Sequence, residues 1–213
     1  IGIIHLADAI APAMMLAYAV GRIGCQVSGD GDWGIVNSAF ISDTNGQSIV
    51  ATTEQYAATL QTHHGYLVSK FGSLSQVPHY AVQPFLGLPN WFFAYTYPHN
   101  VVGDGVQFAG CSGQYCAYLP MPVFPTPFYE MMTCGVLFLI LWMYRSKLKF
   151  PGQMAGLYLI FNGTERFLIE KIRVNAKYNF GSFGITQAEI ISFILIICGV
   201  ILFTQAKKFK KVV

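Results

Sequence analysis

Long apolar stretches constrain this chain more than any other feature of its sequence. Seventeen residues from Ile190 to Ala206 carry no charge, and the eighteen from Pro127 to Tyr144 carry only Glu130. Residues 1–21 contain one acidic residue and one histidine. Because about 20 helical residues cross ~30 Å of hydrocarbon, these stretches predict membrane-spanning helices.

The overall composition indicates the same class of protein. Hydrophobic residues make up 54% of the chain and charged residues 11%, against about 25% charged in an average soluble domain. A soluble core of 213 residues is too small to bury so many apolar helices. We therefore predict an all-α, polytopic transmembrane helical bundle that forms a single membrane domain over residues 1–213. The four predicted spans are 3–23, 127–144, 154–173 and 187–206.

The basic residues predict the orientation of these spans. They follow the second and fourth spans: Arg145, Lys147, Lys149, Lys207, Lys208, Lys210 and Lys211. The positive-inside rule places both groups in the cytoplasm, where the tail attracts anionic lipid and does not indicate nucleic acid. Residues 25–126 contain only one basic residue, Lys70, and form an extracytoplasmic loop or cap. Arg22 and Arg173 then lie at the outer surface.

The start of the chain and its cysteines carry two smaller expectations. The sequence lacks an initial Met and opens within apolar residues, so we expect it to begin partway into a longer protein. Cys111 and Cys116 lie in GCSGQYC on the predicted outer side, where an oxidising compartment favours a disulfide. A zinc site is the less favoured alternative because no second pair of ligands has a matching spacing. We predict no metal and no cofactor.

A polar stripe marks the third predicted span. Asn162, Arg166, Glu170 and Arg173 recur at helical spacing, so they share one face of a helix. Ionisable groups are costly in a membrane helix and indicate a functional site. The alternative is that these residues only pair with one another and connect the helices.

A glycine-rich segment follows the first predicted span and reads GRIGCQVSGDGDWG from Gly21 to Gly34. Such a turn exposes backbone N–H groups and lets a ligand approach closely. Arginine binds phosphate through two parallel, charge-assisted hydrogen bonds. With Arg22, Arg166 and Arg173 at the outer interface, the sequence predicts a cationic pocket for a phosphate group.

Three motifs in this chain resemble those of bacterial prolipoprotein diacylglyceryl transferases. The glycine-rich segment resembles the family's G-R-x-G-N-F-x-N-G-E-x-W-G. PTPFYE at 125–130 resembles P-x-x-x-Y-E, and NGTERFLIEKIR at 162–173 resembles Y-G-x-x-R-F-x-x-E-x-x-R. GITQAEIISFILIICG also corresponds to the family's last helix and the turn before it. The resemblance leaves residues 35–120 largely unexplained.

The chain departs from the family motifs at several positions. Cys25 and Ser28 stand where the family has asparagine, and Asn162 stands where it has tyrosine. One extra residue in the glycine-rich segment lets either Asp30 or Asp32 correspond to the family's glutamate.

The resemblance implies an enzyme that transfers the diacylglyceryl group of phosphatidylglycerol to the lipobox cysteine of a preprolipoprotein signal peptide. The product is a thioether, and glycerol phosphate leaves. This reaction would take place at the bilayer of the bacterial cytoplasmic (inner) membrane, in a multi-pass protein whose active site faces the periplasmic or outer side. The implied catalytic residues are Arg22, Arg166, Glu170 and Arg173. The implied phosphatidylglycerol-binding residues are Arg22, Cys25, Ser28, Gly29, Asp30, Asp32, Gly34 and Asn162. Tyr129 and Glu130 are implied supports.

No residue is assigned as the general base. Two alternative functions belong to other classes: a non-catalytic phospholipid-binding membrane protein, and a transporter. A transporter would be expected to have broken helices or internal repeats near the bilayer midplane.

Overall fold

The computed structural model describes residues 2–173, 178–180 and 183–211, and it is mostly helical with little sheet. Only the backbone is described for residues 178–180, 183–185 and 209–211, so the side chains of Lys210 and Lys211 lie outside the description. The described α-helices are α1 (Ile3–Ser28), α2 (Thr53–Thr62), α3 (His64–Phe71), α4 (Asn90–Phe93), α5 (Thr126–Tyr144), α6 (Gln153–Glu170) and α7 (Gln187–Gln205). Short 3-10 helices cover Leu74–Gln76 and Ala206–Lys211.

In the part of the chain that the structure describes, the strands form four separate two-stranded pieces. One is parallel and pairs β1 (Val36–Asn37) with β4 (His79–Tyr80). The antiparallel pieces pair β2 (Phe40–Ser42) with β3 (Ser48–Val50), β5 (Val106–Gln107) with β6 (Ala117–Tyr118), and β7 (Tyr178–Phe180) with β8 (Phe183–Ile185). Each strand has two or three residues, so these pieces connect loops and build no sheet layer.

Within the described residues, three helices are long and apolar enough to cross a membrane, at Ile3–Ser28, Thr126–Tyr144 and Gln187–Lys208. This confirms the predicted class of helical membrane protein. The fourth predicted span corresponds to α6, which carries Glu165, Arg166 and Glu170, so its role as a span stays a prediction.

The chain divides into two compact units. The first comprises residues 2–23, 128–171, 178–180 and 183–211, and the second comprises 24–127 and 172–173. The first therefore contains most of each long apolar helix, and the second contains the segment 25–126 that was predicted to be a loop or cap.

Small residues bring α6 and α7 together in the first unit. A Cβ atom added to Gly163 would lie 2.7 Å from the carbonyl oxygen of Ser192, and one added to Gly199 would lie 2.7 Å from that of Gly156. Inside a membrane no hydrophobic driving force brings helices together, so helix pairs there are stabilised by close van der Waals contact of this kind.

Asp8 joins the start of α6 to α1. Its Oδ2 accepts a hydrogen bond of 2.6 Å from the backbone N–H of Gly152, and its Oδ1 accepts one of 2.8 Å from Ala155. The carboxylate thereby satisfies N–H groups that a helix start leaves unpaired, and its charge is favourable at the positive end of the helix dipole.

Two buried asparagines organise the loops of the second unit. The Nδ2 group of Asn37 donates to the carbonyl oxygens of Val82 and Phe93, at 3.0 and 3.1 Å. Asn100 donates to the carbonyl oxygens of Tyr97, Asp104 and Ala117. An amide side chain can satisfy several backbone groups at once, which lets irregular segments pack without long strands.

A disulfide and an apolar core complete the second unit. Cys111 and Cys116 are joined by the disulfide, with their Cα atoms 5.7 Å apart. The core contains Trp33, Tyr97 and Leu67, all buried. Trp33 and Tyr97 place their ring centroids 5.0 Å apart.

Candidate active site

In the first unit, Tyr18, Arg22 and Arg166 form a polar cluster around the buried carboxylate of Glu130. Its side chain is 0% exposed, and its Oε2 lies 2.7 Å from Nε of Arg22 and 3.9 Å from Nη1 of Arg166. The hydroxyl of Tyr18 donates a 2.5 Å hydrogen bond to the same oxygen. The same hydroxyl accepts hydrogen bonds from Nη2 of Arg22, at 3.1 Å, and from Nη1 of Arg166, at 3.4 Å.

Helical spacing explains how these groups meet. Tyr18 and Arg22 are four residues apart on α1, so they lie on one face of that helix. The guanidinium carbon of Arg22 also lies 5.1 Å from the centroid of the Tyr18 ring. Glu130 comes from the start of α5 and Arg166 from α6. Three helices therefore contribute to one cluster.

The two arginines differ in their surroundings. The side chain of Arg22 is 10% exposed and is paired closely with Glu130, whereas the side chain of Arg166 is 34% exposed. A buried ion pair compensates each partner's loss of water, so Arg22 and Glu130 depend on one another. A guanidinium has five N–H donors, and the more accessible Arg166 is the better placed of the two to meet an anion.

The remaining predicted residues of the first unit lie on α5 and α6, the helices that carry Glu130 and Arg166. Glu170 is buried at the last residue of α6. Asn162 is partly exposed, one turn before Arg166 on the same helix. Tyr129 is half-buried beside Glu130 on α5, and its ring centroid lies 6.2 Å from that of Phe128.

Two residues of this region were missed from the sequence. Tyr18 has no motif of its own, although its position four residues before Arg22 was a signal that could have found it. Glu165 is also buried, directly before Arg166. A buried acid next to the predicted arginine was visible in the sequence as a charge in an apolar helix.

The second unit contains another group of predicted residues. The Arg173 guanidinium forms an ion pair with Asp32. The backbone N–H of Asp32 donates to Oδ1 of Asp30, at 3.3 Å. Ligand atoms of Cys25, Asp30 and Asp32 lie within 4.8 Å of one another, which is a spacing that a cation could bridge. Arg173 already brings a positive charge to Asp32.

The predicted span 3–23 is too short, because α1 continues to Ser28 and the turn begins only after that residue. Close approach requires glycine at Gly29 and Gly34. A Cβ atom at Gly34 would lie 2.7 Å from the carbonyl oxygen of Ile172 and 2.9 Å from that of Phe124. At Gly29, which has φ +62°, a Cβ atom would lie 2.7 Å from Cβ of Asn100. Ser28 precedes this turn, and its carbonyl oxygen accepts a 2.9 Å hydrogen bond from the N–H of Val101.

The predicted helical stripe is wrong at its last member. Helix α6 ends at Glu170, three residues before Arg173, and Arg173 instead forms a backbone bridge with Gly34. The predicted span to residue 173 is therefore too long. Arg22 and Arg166 share a cluster in the first unit, whereas Arg173 belongs to the second unit.

Apolar helices that surround two arginines, a tyrosine and a buried glutamate define a helical membrane protein with a polar site on its helices. Residues 1–205 match the family described as prolipoprotein diacylglyceryl transferase. The chain therefore belongs to that family, which confirms the resemblance seen in its motifs.

Curated relatives carry the same family description. The chain is similar to the phosphatidylglycerol–prolipoprotein diacylglyceryl transferase of Chlorobaculum tepidum, with 37% identity over 39% of this chain and 30% of that protein. Its similarity to the enzyme of Pseudoalteromonas atlantica is 36% identity over 52% of this chain and 39% of that protein. Its similarity to the enzyme of Rhodospirillum rubrum is 34% identity over 43% of this chain and 35% of that protein. The matched segments thus span between 30% and 39% of the length of these relatives.

Proposed function

We propose that the complete protein transfers the diacylglyceryl group of phosphatidylglycerol to the thiol of a lipobox cysteine in a preprolipoprotein. A bond forms between the cysteine sulfur and a glyceryl carbon of the lipid. The bond between that carbon and the phosphate oxygen breaks, and glycerol phosphate leaves. The thiol proton passes to a general base. The observation that supports this proposal most is the joint placement of Arg22 and Arg166 around Glu130, in a chain that belongs to this family.

The chemistry requires stabilisation of the negative charge on the leaving phosphate. Arg166 would bind the phosphate through its guanidinium, because its side chain is the more accessible of the two arginines. Arg22 would add a second positive charge that Glu130 and Tyr18 hold in place. Donors that are fixed before the reaction lower its barrier, and removal of one such donor from an active site typically costs about 10²–10³-fold in rate.

The other predicted residues enter this proposal in the roles that the family motifs imply. Glu170 would be a catalytic residue that acts with Arg166 on α6, Asn162 would contact phosphatidylglycerol, and Tyr129 would support the position of Glu130. The second-unit residues proposed for the lipid headgroup are Cys25, Ser28, Gly29, Asp30, Asp32 and Gly34. Arg173 is proposed as a catalytic residue that its ion pair with Asp32 orients.

We place the protein in the bacterial cytoplasmic (inner) membrane with four spans and with this site toward the periplasmic or outer side. The basic residues after α5 and after α7 support this orientation. Residues 25–126 would then form an extracytoplasmic cap.

The test is transfer of labelled phosphatidylglycerol to a lipobox peptide by membranes that carry the complete protein. We expect a labelled thioether product with the cysteine peptide and none with a serine peptide. Arg166→Ala should abolish the product. Lys171→Ala is the control and should keep it, because Lys171 is an exposed cation beside the end of the same helix and forms an ion pair with Glu189.

Three results would contradict the proposal. A folded, membrane-inserted protein that binds phosphatidylglycerol without transfer would support the non-catalytic alternative. Transport of the lipid without thioether formation would support the transporter. Wild-type transfer by Arg166→Ala would remove Arg166 from the mechanism.

A further inference from the structure

A cavity in the first unit is lined by neither Arg22 nor Arg166. It has a volume of about 610 Å³ and lies between α1, the end of α5 and the segment that leads into α6. Arg145, which lines it, is fifteen residues after Glu130, which corresponds to ~22 Å along a helix. This cavity therefore belongs to the opposite end of α5 from the candidate active site.

The lining of the cavity changes from basic to apolar along the helices. His5, Arg145 and Lys149 line it near the helix ends, and Leu16 and Phe138 line it farther along. Leu16 is eleven residues from His5, or ~16 Å along α1. Both α1 and α5 are long and apolar enough to cross a membrane. The basic end thus lies at headgroup depth when the apolar end lies among acyl chains.

The charges at the basic end favour an anion. Arg145 and Lys149 face one carboxylate in the cavity lining, that of Asp8. Asp8 accepts hydrogen bonds from two N–H groups at the start of α6, so its charge is compensated there. The two cations therefore leave an excess of positive charge for a ligand.

Aromatic residues hold one of these cations in position. The guanidinium carbon of Arg145 lies 3.5 Å from the centroid of the Trp142 ring, and Trp142 in turn lies 5.9 Å from the ring of Phe138. Stacking on an indole orients a guanidinium and leaves the N–H groups at its edge for a ligand. Tryptophan also favours the membrane interface.

We propose that this cavity binds an anionic phospholipid, with its phosphate at Arg145 and Lys149 and one acyl chain along Leu16 and Phe138. Basic pockets between membrane helices bind anionic headgroups in this way. A soluble phosphate would use only the basic end, whereas the apolar remainder of the cavity fits a hydrocarbon chain. The proposal does not depend on the transfer activity.

The experiment measures binding of phosphatidylglycerol to the complete, delipidated protein by native mass spectrometry in detergent. An Arg166→Ala background removes the proposed active-site contact. Arg145→Ala with Lys149→Ala should weaken binding about 10- to 30-fold, because each basic residue near an anionic lipid contributes about one factor of five. Lys147→Ala is the matched control, since Lys147 lies in the same loop, stacks on Tyr144 and does not line the cavity.

A second variant tests the apolar part without changing any charge. Ala13 lines the cavity on α1, and Ala13→Trp should fill the space of the acyl chain and weaken binding by a similar factor. If Lys147→Ala weakened lipid binding as much as the cavity variants do, general attraction to a basic surface would explain the binding and the proposal would be overturned. Equal binding of phosphatidylcholine with the same acyl chains would overturn it too, as would full displacement of the lipid by inorganic phosphate. Unchanged binding in both cavity variants would also overturn it.

Discussion

The hydroxyl oxygen of Tyr18 lies 2.5 Å from Oε2 of Glu130, although 112 residues separate the two along the chain. This hydroxyl donates to Glu130 and accepts from Arg22 and Arg166. A single phenol thereby links three charged groups from three helices. Its removal should affect both the stability of the first unit and the positions of the two arginines.

Tyr18→Phe keeps the ring and removes only the hydroxyl. We expect a loss of about 1.5–3 kcal/mol in the free energy of unfolding, because hydrogen bonds to charged groups are stronger than neutral ones. Thermal unfolding of the detergent-solubilised protein measures this change. Tyr158→Phe, at a half-buried tyrosine of the same unit, is the control. An unchanged melting temperature for Tyr18→Phe would show that the hydroxyl does not hold the cluster together.

Arg22 and Glu130 should be energetically coupled. Glu130→Gln leaves the Arg22 charge buried without its carboxylate, and Arg22→Gln leaves the carboxylate without its cation. Either single change should destabilise the protein by about 3–5 kcal/mol. The double variant should lose clearly less than the sum of the two. Additive losses in a double-mutant cycle would show that the pair acts as two independent groups.

Arg166→Lys separates positive charge from guanidinium geometry. Lysine keeps the charge but lacks the planar fork that binds two phosphate oxygens. We expect the transfer rate to fall about 10²–10³-fold, while membrane insertion and melting temperature stay close to wild type. Initial rates with saturating phosphatidylglycerol measure the effect. A rate within a factor of two of wild type would mean that charge alone suffices.

Gly199→Leu tests the contact between α6 and α7. A Cβ atom there would lie 2.7 Å from the carbonyl oxygen of Gly156, so the helices must separate. Overpacking of this kind costs about 1–3 kcal/mol. Cys198→Leu, at the exposed neighbouring position, should leave the melting temperature unchanged. If both variants melt alike, the close approach contributes no stability.

His63 should make the second unit sensitive to acid. Burial lowers the pKa of His63 from 6.5, so the unfolded chain takes up a proton at a higher pH than the folded chain. Its contribution to stability is therefore complete above about pH 6.5 and is lost as the pH falls. His63→Gln should flatten the pH dependence of the melting temperature between pH 5 and 7, relative to His64→Gln as the exposed neighbour. Parallel curves for both variants would contradict this origin.

The sequence predicted the membrane helices and Arg166 of α6 more completely than the rest. The apolar runs required helices in lipid, and α5 and α7 are found at Thr126–Tyr144 and Gln187–Gln205, close to the predicted 127–144 and 187–206. Helical spacing also anticipated that Arg166 shares a polar site. It could not show that α6 ends at Glu170. Arg173 pairs its backbone with Gly34, and the local sequence carries no sign of that pairing.

The Cys111–Cys116 disulfide was predicted, but most of the second unit could not be predicted because its order comes from single polar side chains. Asn37 bonds to the backbone of Val82 and Phe93, and Asn100 bonds to that of Ala117. Such long-range contacts leave no periodic pattern in the sequence. Tyr18 was missed for a similar reason. A tyrosine in an apolar helix gives no sign of a partner that lies 112 residues later.

The contact of Asp8 with the start of α6 has a consequence for the order of synthesis. Asp8 is made 144 residues before its partner Gly152. At about 5–20 residues per second, the ribosome needs roughly 7–30 s to cover that distance. Throughout this interval α1 is present, but the N–H groups of Gly152 and Ala155, which later donate to the Asp8 carboxylate, have not yet been made. The contact between α1 and the start of α6 can therefore form only after Gly152 and Ala155 have been made.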